Sequence, residues 1–262
     1  MVSLSAFREL YDYRELLYVW SLRDLKARYK QSLFGFAWAI FQPLALTAVF
    51  VVAFSYFIRL PSDGLPYPIF VFAAMLPWSF FARSLNTGIT SIVLNMHLVT
   101  KIYFPRAIFP LTNIVTGFAD FLMGLVVFIG LMFYYQVPLN PAMLTLPLLF
   151  VVQLLLMAGL ALGASALNVF YRDIGQMTPL LLQIWMYACP IIYPLSIIPD
   201  WIRPFYMLNP MAVIIHSYRQ VILQGQAPNW GEVGLAAVIS AAVFVGGYLI
   251  FKRLEDQFAD II

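Results

Sequence analysis

The order of apolar and polar positions divides the chain into a charged, amphipathic start and a long body of apolar runs. At about 100° per residue, Leu10, Tyr13, Leu17 and Trp20 fall on one side of a helix, while Arg8, Asp12, Glu15, Arg23, Lys26 and Lys30 gather on the other. Residues 1–33 hold ten charged side chains and no continuous apolar core. A cleaved signal peptide needs such a core, so this start is expected to be retained. The pattern predicts an amphipathic helix lying at a membrane surface, where Trp and basic residues mark the interface. A solvated helix packed on a partner protein satisfies it as well, and the two readings are compatible.

From residue 34 onward the apolar runs are long enough to cross a hydrocarbon core about 30 Å thick. They predict six spans, at about 34–58, 67–82, 107–135, 142–168, 177–198 and 232–251. A Pro-, Asp- and Gly-rich turn from Arg59 to Pro66 closes the first, and Pro77 is expected to kink the second. Only Gln136 to Pro141 separates the third and fourth, which therefore form a tight helical hairpin. Pro190 and Pro194 interrupt the fifth. Between spans two and three lies a polar segment, Arg83 to Arg106. Within it Ile89, Ile92, Val93 and Met96 predict a short amphipathic helix over Thr87 to Thr100, presented to a hydrophobic groove; the alternative is that these residues continue span two. The segment Pro199 to Gly231 is too long for a turn and too apolar for a wet loop. Trp201, Phe205 and Tyr206 precede Met211, Ile214, Ile215, Tyr218 and Ile222, whose 3/4 spacing suits one helix face. Two short re-entrant or interfacial helices are expected there, with a pair of half-spans as the alternative. The fold class is thus an all-α integral membrane protein. It has an N-terminal interface helix (1–33), a six-span domain with re-entrant helices between spans five and six (34–251), and a tail (252–262).

Composition sharpens this. Of 262 residues, 63% are apolar, 17% aromatic and 10% charged, against about 25% charged in ordinary soluble domains. A soluble globular protein is excluded. With the N-terminus inside, twelve Lys and Arg fall in inner segments and three (Arg59, Arg203, Arg219) in outer ones. This asymmetry places both termini in the cytoplasm with an even number of spans.

The chemistry available is narrow. One cysteine, Cys189, rules out a disulfide framework, and two histidines with so few thiols make a metal site a poor expectation. No glycine-rich phosphate loop precedes Lys26, Lys30, Lys101 or Lys252, so nucleotide hydrolysis on this chain is not expected and no catalytic residue or cofactor is assigned to it. Proton-coupled carriers need several ionisable groups within their spans, whereas only Asp120, in span three, is read as intramembrane. Asn113, Thr116, Gly117 and Gly124 share its helix, which suggests a packing role with a transport role as the alternative. Small residues from Gly159 to Ala166 suit close helix approach within the chain. The 44 aromatics exceed what interfacial belts use. Some could line a route for a glycan, since ring faces stack on the C–H surfaces of sugars.

Arg28-Tyr29-Lys30-Gln31-Ser32 with Gly35, Trp38 and Pro43 opens a series of recognisable segments. Leu98-Val99-Thr100-Lys101-Ile102-Tyr103-Phe104-Pro105-Arg106 and Asn168-Val169-Phe170-Tyr171-Arg172-Asp173-Ile174 follow. In kind and order these resemble the membrane (permease) subunits of ABC-type polysaccharide exporters, and among them O-antigen export permeases. The resemblance implies a homodimer of this chain with two cytoplasmic ATP-binding cassette subunits, which would hold the ATP and Mg. It further implies a lipid-linked polysaccharide as the solute, a bacterial inner-membrane location, and no nucleic acid. Ile89, Ile92, Val93, Met96, Lys101, Arg172 and Asp173 then become expected contacts with the ATPase, and Trp201, Phe205 and Tyr206 an outer gate. Capsule, teichoic acid and drug or small-lipid exporters are the neighbouring alternatives. A passive channel or a structural membrane protein is the alternative of another class.

Overall fold

The computed structural model describes residues 13–30, 37–99 and 104–258. Among these, every regular element is helical. Helix α1 spans Arg14–Tyr29. Helix α2, Ala37–Phe50, runs on into a π-helical stretch, Val51–Phe57. Arg59, Asp63 and Gly64, all with positive φ, then turn the chain into α3, Tyr67–Leu94. A four-residue α4, Met96–Val99, precedes α5, Ile108–Tyr134. A tight turn with Gln136 at φ 54° leads through Pro141–Thr145 into α6, Leu146–Phe170. Helices α7, Asp173–Tyr187, α8, Arg203–Tyr206, α9, Pro210–Leu223, and α10, Trp230–Leu254, complete the chain.

Among the described residues five helical stretches are long and apolar enough to cross a membrane: Ile40–Phe57, Tyr67–Leu94, Ile108–Tyr134, Pro141–Phe170 and Trp230–Gln257. They correspond to the expected spans one, two, three, four and six. The expected fifth span is revised: α7 has 15 residues, about 22 Å at 1.5 Å per residue, short of the hydrocarbon thickness. Helix propagation stops before Pro190, which has no N–H to donate.

Helix α3 is the axis of the molecule. Its span is 78% buried, whereas that of α2 is only 6% buried. Helix α3 continues unbroken past Arg83 to Leu94, which matches the alternative that residues 87–94 continue span two. Sixteen residues from 67 to 82 would rise only about 24 Å, so the polar residues that follow are the helix's own last turns. Close packing on α3 is licensed by glycine. A Cβ on Gly117 would meet Ser84 Oγ at 2.3 Å, and one on Gly124 would meet Leu76 Cδ1 at 2.4 Å. The small residues of α6 serve the chain internally, as expected: a Cβ on Gly247 of α10 would stand 2.0 Å from the Gly159 carbonyl oxygen. Pro77 lies inside α3, and its carbonyl accepts from Gln153 Nε2 of α6 at 2.9 Å.

The segment 199–231 does hold two helices, but α9 is not one-sided as its spacing suggests. It is buried on nearly all faces, including Ala212, Val213 and Ser217.

Candidate functional site

A cavity of about 640 Å³ opens between α2, α3, α5 and α7. Gln42 and Pro43 of α2, Ser79, Asn86 and Thr87 of α3, and Gln183 of α7 supply polar and small surface, and Phe50, Trp78, Phe80 and Phe121 supply aromatic surface. Phe80 lies against Phe121 at 5.4 Å and stacks on Phe150 at 5.8 Å between ring centres, so the aromatic wall is itself braced.

Asp120 and Arg83 line the same cavity and are joined, Nη1 to Oδ2, at 2.7 Å. Asp120 is 9% exposed and Arg83 33%. The expectation that Asp120 is a lone intramembrane charge is thereby corrected. Arg83 was counted as leaving the membrane; it lies well inside α3, one helix away. The signal was present, since a buried carboxylate demands a donor and span two was too short without Arg83. Chemically the cavity offers amides, two hydroxyls and an ion pair beside ring faces, a combination suited to a hydroxyl-rich, partly apolar surface such as a sugar.

At the end of the bundle where α3 stops, a second apolar cluster ties the terminal segments together. Leu16 and Trp20 of α1, with Tyr13 just before it, pack on it around Phe104, Ile108 and Phe109. Trp20 stands 5.4 Å edge-on to Phe109, and Arg23 covers Trp20 at 4.3 Å. Helix α1 therefore lays its apolar stripe on its own chain. Arg106 reaches over Phe258 at 5.8 Å, and Phe104 is buried. Ile89 and Ile92 are 5% and 0% exposed, so the expectation that they face a partner's groove is corrected. They are the packing face of α3, and Val93 joins them at the edge of the cluster. Leu94 is the outward residue, 72% exposed.

Asn168 joins three helices here. Its Nδ2 donates to the Ile89 carbonyl at 3.2 Å and its Oδ1 accepts from Gly175 N at 2.7 Å. This fixes the Tyr171-Arg172-Asp173 turn, whose three residues are exposed. Arg172 Nη2 approaches Met96 Sδ at 3.6 Å. Thus Met96, Arg172 and Asp173 do come together, at one end. Lys101 and Gly35 lie outside the described residues. Tyr29 closes α1, Trp38 is half-exposed against Phe41, and Pro43 lines the cavity, while Pro105 and Arg106 precede α5.

At the opposite end Trp201 and Phe205 are exposed, and Tyr206 OH lies 3.1 Å from Tyr193 OH. Arg219, read from the sequence as part of an outer, interfacial helical segment, is 3% exposed within α9. The signal lay in the spacing: Arg219 follows Ile215 by four residues and precedes Ile222 by three, on the same helix face.

This architecture defines a multi-pass helical membrane protein with a polar cavity against its central helix. Residues 15–223 match the ABC-2 type transporter family, and the chain belongs to it. It is 33% identical over 259 residues to the O-antigen export system permease protein RfbA of Myxococcus xanthus, covering 97% of this chain and 98% of that protein. The Klebsiella pneumoniae protein of the same description is 29% identical, with 95% of each chain covered. The polysialic acid transport protein KpsM of Escherichia coli is 20% identical, covering 90% and 92%.

Proposed function

We propose that this chain is the membrane-spanning subunit of an ATP-driven exporter that carries a lipid-linked, O-antigen-like polysaccharide across a bacterial inner membrane. The likeness to O-antigen export permeases along almost the full chain carries this reading. The aromatic and amide surface of the cavity agrees with a glycan. ATP and Mg are held by a separate ATP-binding subunit, and this chain is not itself an enzyme. Two copies face one another through α2 and α7. The support is that both helices border the cavity and expose apolar side chains, among them Val49, Leu180 and Ile184. A second copy there would cover both helices and enclose the cavity. Both termini lie in the cytoplasm, on the charge asymmetry.

The test is loss of the gene in its own host. Surface polysaccharide should disappear and its lipid-linked form should accumulate inside, and the tagged chain should co-purify with an ATP-binding subunit. Normal surface glycan in the deletion strain sinks the reading. Loss of a capsular polymer with intact O-antigen would move the assignment to capsule export; the more distant relative is named for polysialic acid transport.

A further inference from the structure

The turn that follows α7 has its carbonyl groups taken one by one. Asn209 Nδ2 donates to Ala188 at 3.2 Å, Ile191 N to Cys189 at 2.8 Å, and Tyr67 OH to Ile192 at 2.8 Å. The rest belong to Arg219. Its Nη1 donates to the carbonyls of Pro190 and, at 3.4 Å, Tyr193, and its Nη2 donates to that of Ile191. Its Nε donates to the Phe70 carbonyl of α3 at 2.9 Å, and the guanidinium carbon stands 3.5 Å from the centre of the Phe70 ring.

Among the described residues no carboxylate lies within ion-pairing distance of Arg219. The buried cation is therefore balanced by carbonyl dipoles and a ring face. A guanidinium stays protonated and presents five donors in one plane, a geometry a lysine cannot copy. Buried backbone carbonyls in a turn have no helical partner of their own, so the turn holds its shape only while those donors are present.

We infer that Arg219 is the positioning residue of the gate-like segment. By locking residues 190–193 to α3 and α9, it fixes the point from which the exposed Trp201 and Phe205 segment departs. The role in transport rests on the exporter reading; the locking of the turn does not.

Cys189 is a native reporter of that lock. Its thiol is 0% exposed and lies 3.4 Å from Asn209 Nδ2. Membranes carrying the full chain with its ATP-binding subunit are treated with N-ethylmaleimide, and alkylation of Cys189 is followed by mass spectrometry while surface glycan is measured in the same cells. The wild type should stay protected. Arg219→Ala should be alkylated about tenfold faster or more, since several charge-assisted bonds are lost, and low-millimolar guanidinium should restore protection. Arg219→Lys should fall between the two. Export should fall in the same order. Unchanged protection in Arg219→Ala overturns the inference. So does exposure that guanidinium does not reverse, or failure of both variants to accumulate, since either reduces Arg219 to a folding residue. Exposure and rescue as expected, in a host whose glycan never depended on this chain, would uphold the lock and remove the exporter reading.

Discussion

Asp120 shows how one residue changes meaning when its neighbour is found. A carboxylate at 9% exposure, 2.7 Å from a guanidinium that is one-third exposed to a cavity, is a partner in a charge-assisted bond between α3 and α5. Removing one member of such a pair strands the other, which is costlier than replacing both. Asp120→Leu should therefore destabilise the chain by about 1–3 kcal/mol, discounted here for the solvent access of Arg83. Asp120→Asn keeps an acceptor and should lose less. The double variant Arg83→Gln with Asp120→Asn should recover part of the loss. Thermal unfolding of purified variants in detergent reads all three. An Asp120→Asn chain that accumulates and melts like wild type yet exports no glycan would give the pair a direct role toward the solute instead.

The elements were legible where hydropathy alone decides them, and less so where a polar residue is satisfied by another element. Spans three, four and six match α5, α6 and α10 because each is a long, strongly apolar stretch with few polar positions. The continuity of α3 is not legible from hydropathy, because Arg83, Asn86 and Thr87 separate its two apolar parts until Asp120 and the cavity are placed beside them. The burial of α9 was hidden for a similar reason, since a sequence cannot show that Arg219 has carbonyls waiting for it. The glycines of α6 were readable as close-packing positions, though their partner on α10 was not. That pairing gives a sharp expectation. Gly159→Ala would place a methyl 2.5 Å from Phe244 Cα, and Gly247→Ala one 2.0 Å from a backbone oxygen. Neither obstacle can rotate away, so each should cost about 1–3 kcal/mol by overpacking. Gly130→Ala and Gly246→Ala meet nothing within 4 Å and should be neutral or slightly stabilising, because alanine is the better helix former. Melting temperatures of the four variants check the contrast, and equal losses in all four would refute the α6–α10 contact.

At the scale of the whole molecule the described residues form one bundle with unlike ends. Arg59, Asp63 and the turn after α7 lie at one, and α1, the Tyr171-Arg172-Asp173 turn and the start of α5 at the other. Placing Arg83 inside α3 and Arg219 inside α9 removes one cation from each side of the charge count and leaves eleven against two. If that end is cytoplasmic, the ATP-binding subunit must grip it through side chains that point away from the bundle. Ile89 and Ile92 do not, whereas Leu94 and Tyr171 are 72% and 66% exposed on neighbouring turns beside Met96 and Arg172. Leu94→Asp with Tyr171→Asp should therefore leave the chain inserted and folded, with an unchanged melting temperature, while the ATP-binding subunit is lost on co-purification and export stops. Ile92→Asp should fail differently, through poor accumulation, because it buries a charge in the cluster that holds Phe109 and Phe251. The two failures separate a docking surface from a core. Should the double variant keep its partner and export normally, the grip lies elsewhere, and the outward Tyr18 and Val19 of α1, 63% and 60% exposed, become the surface to test.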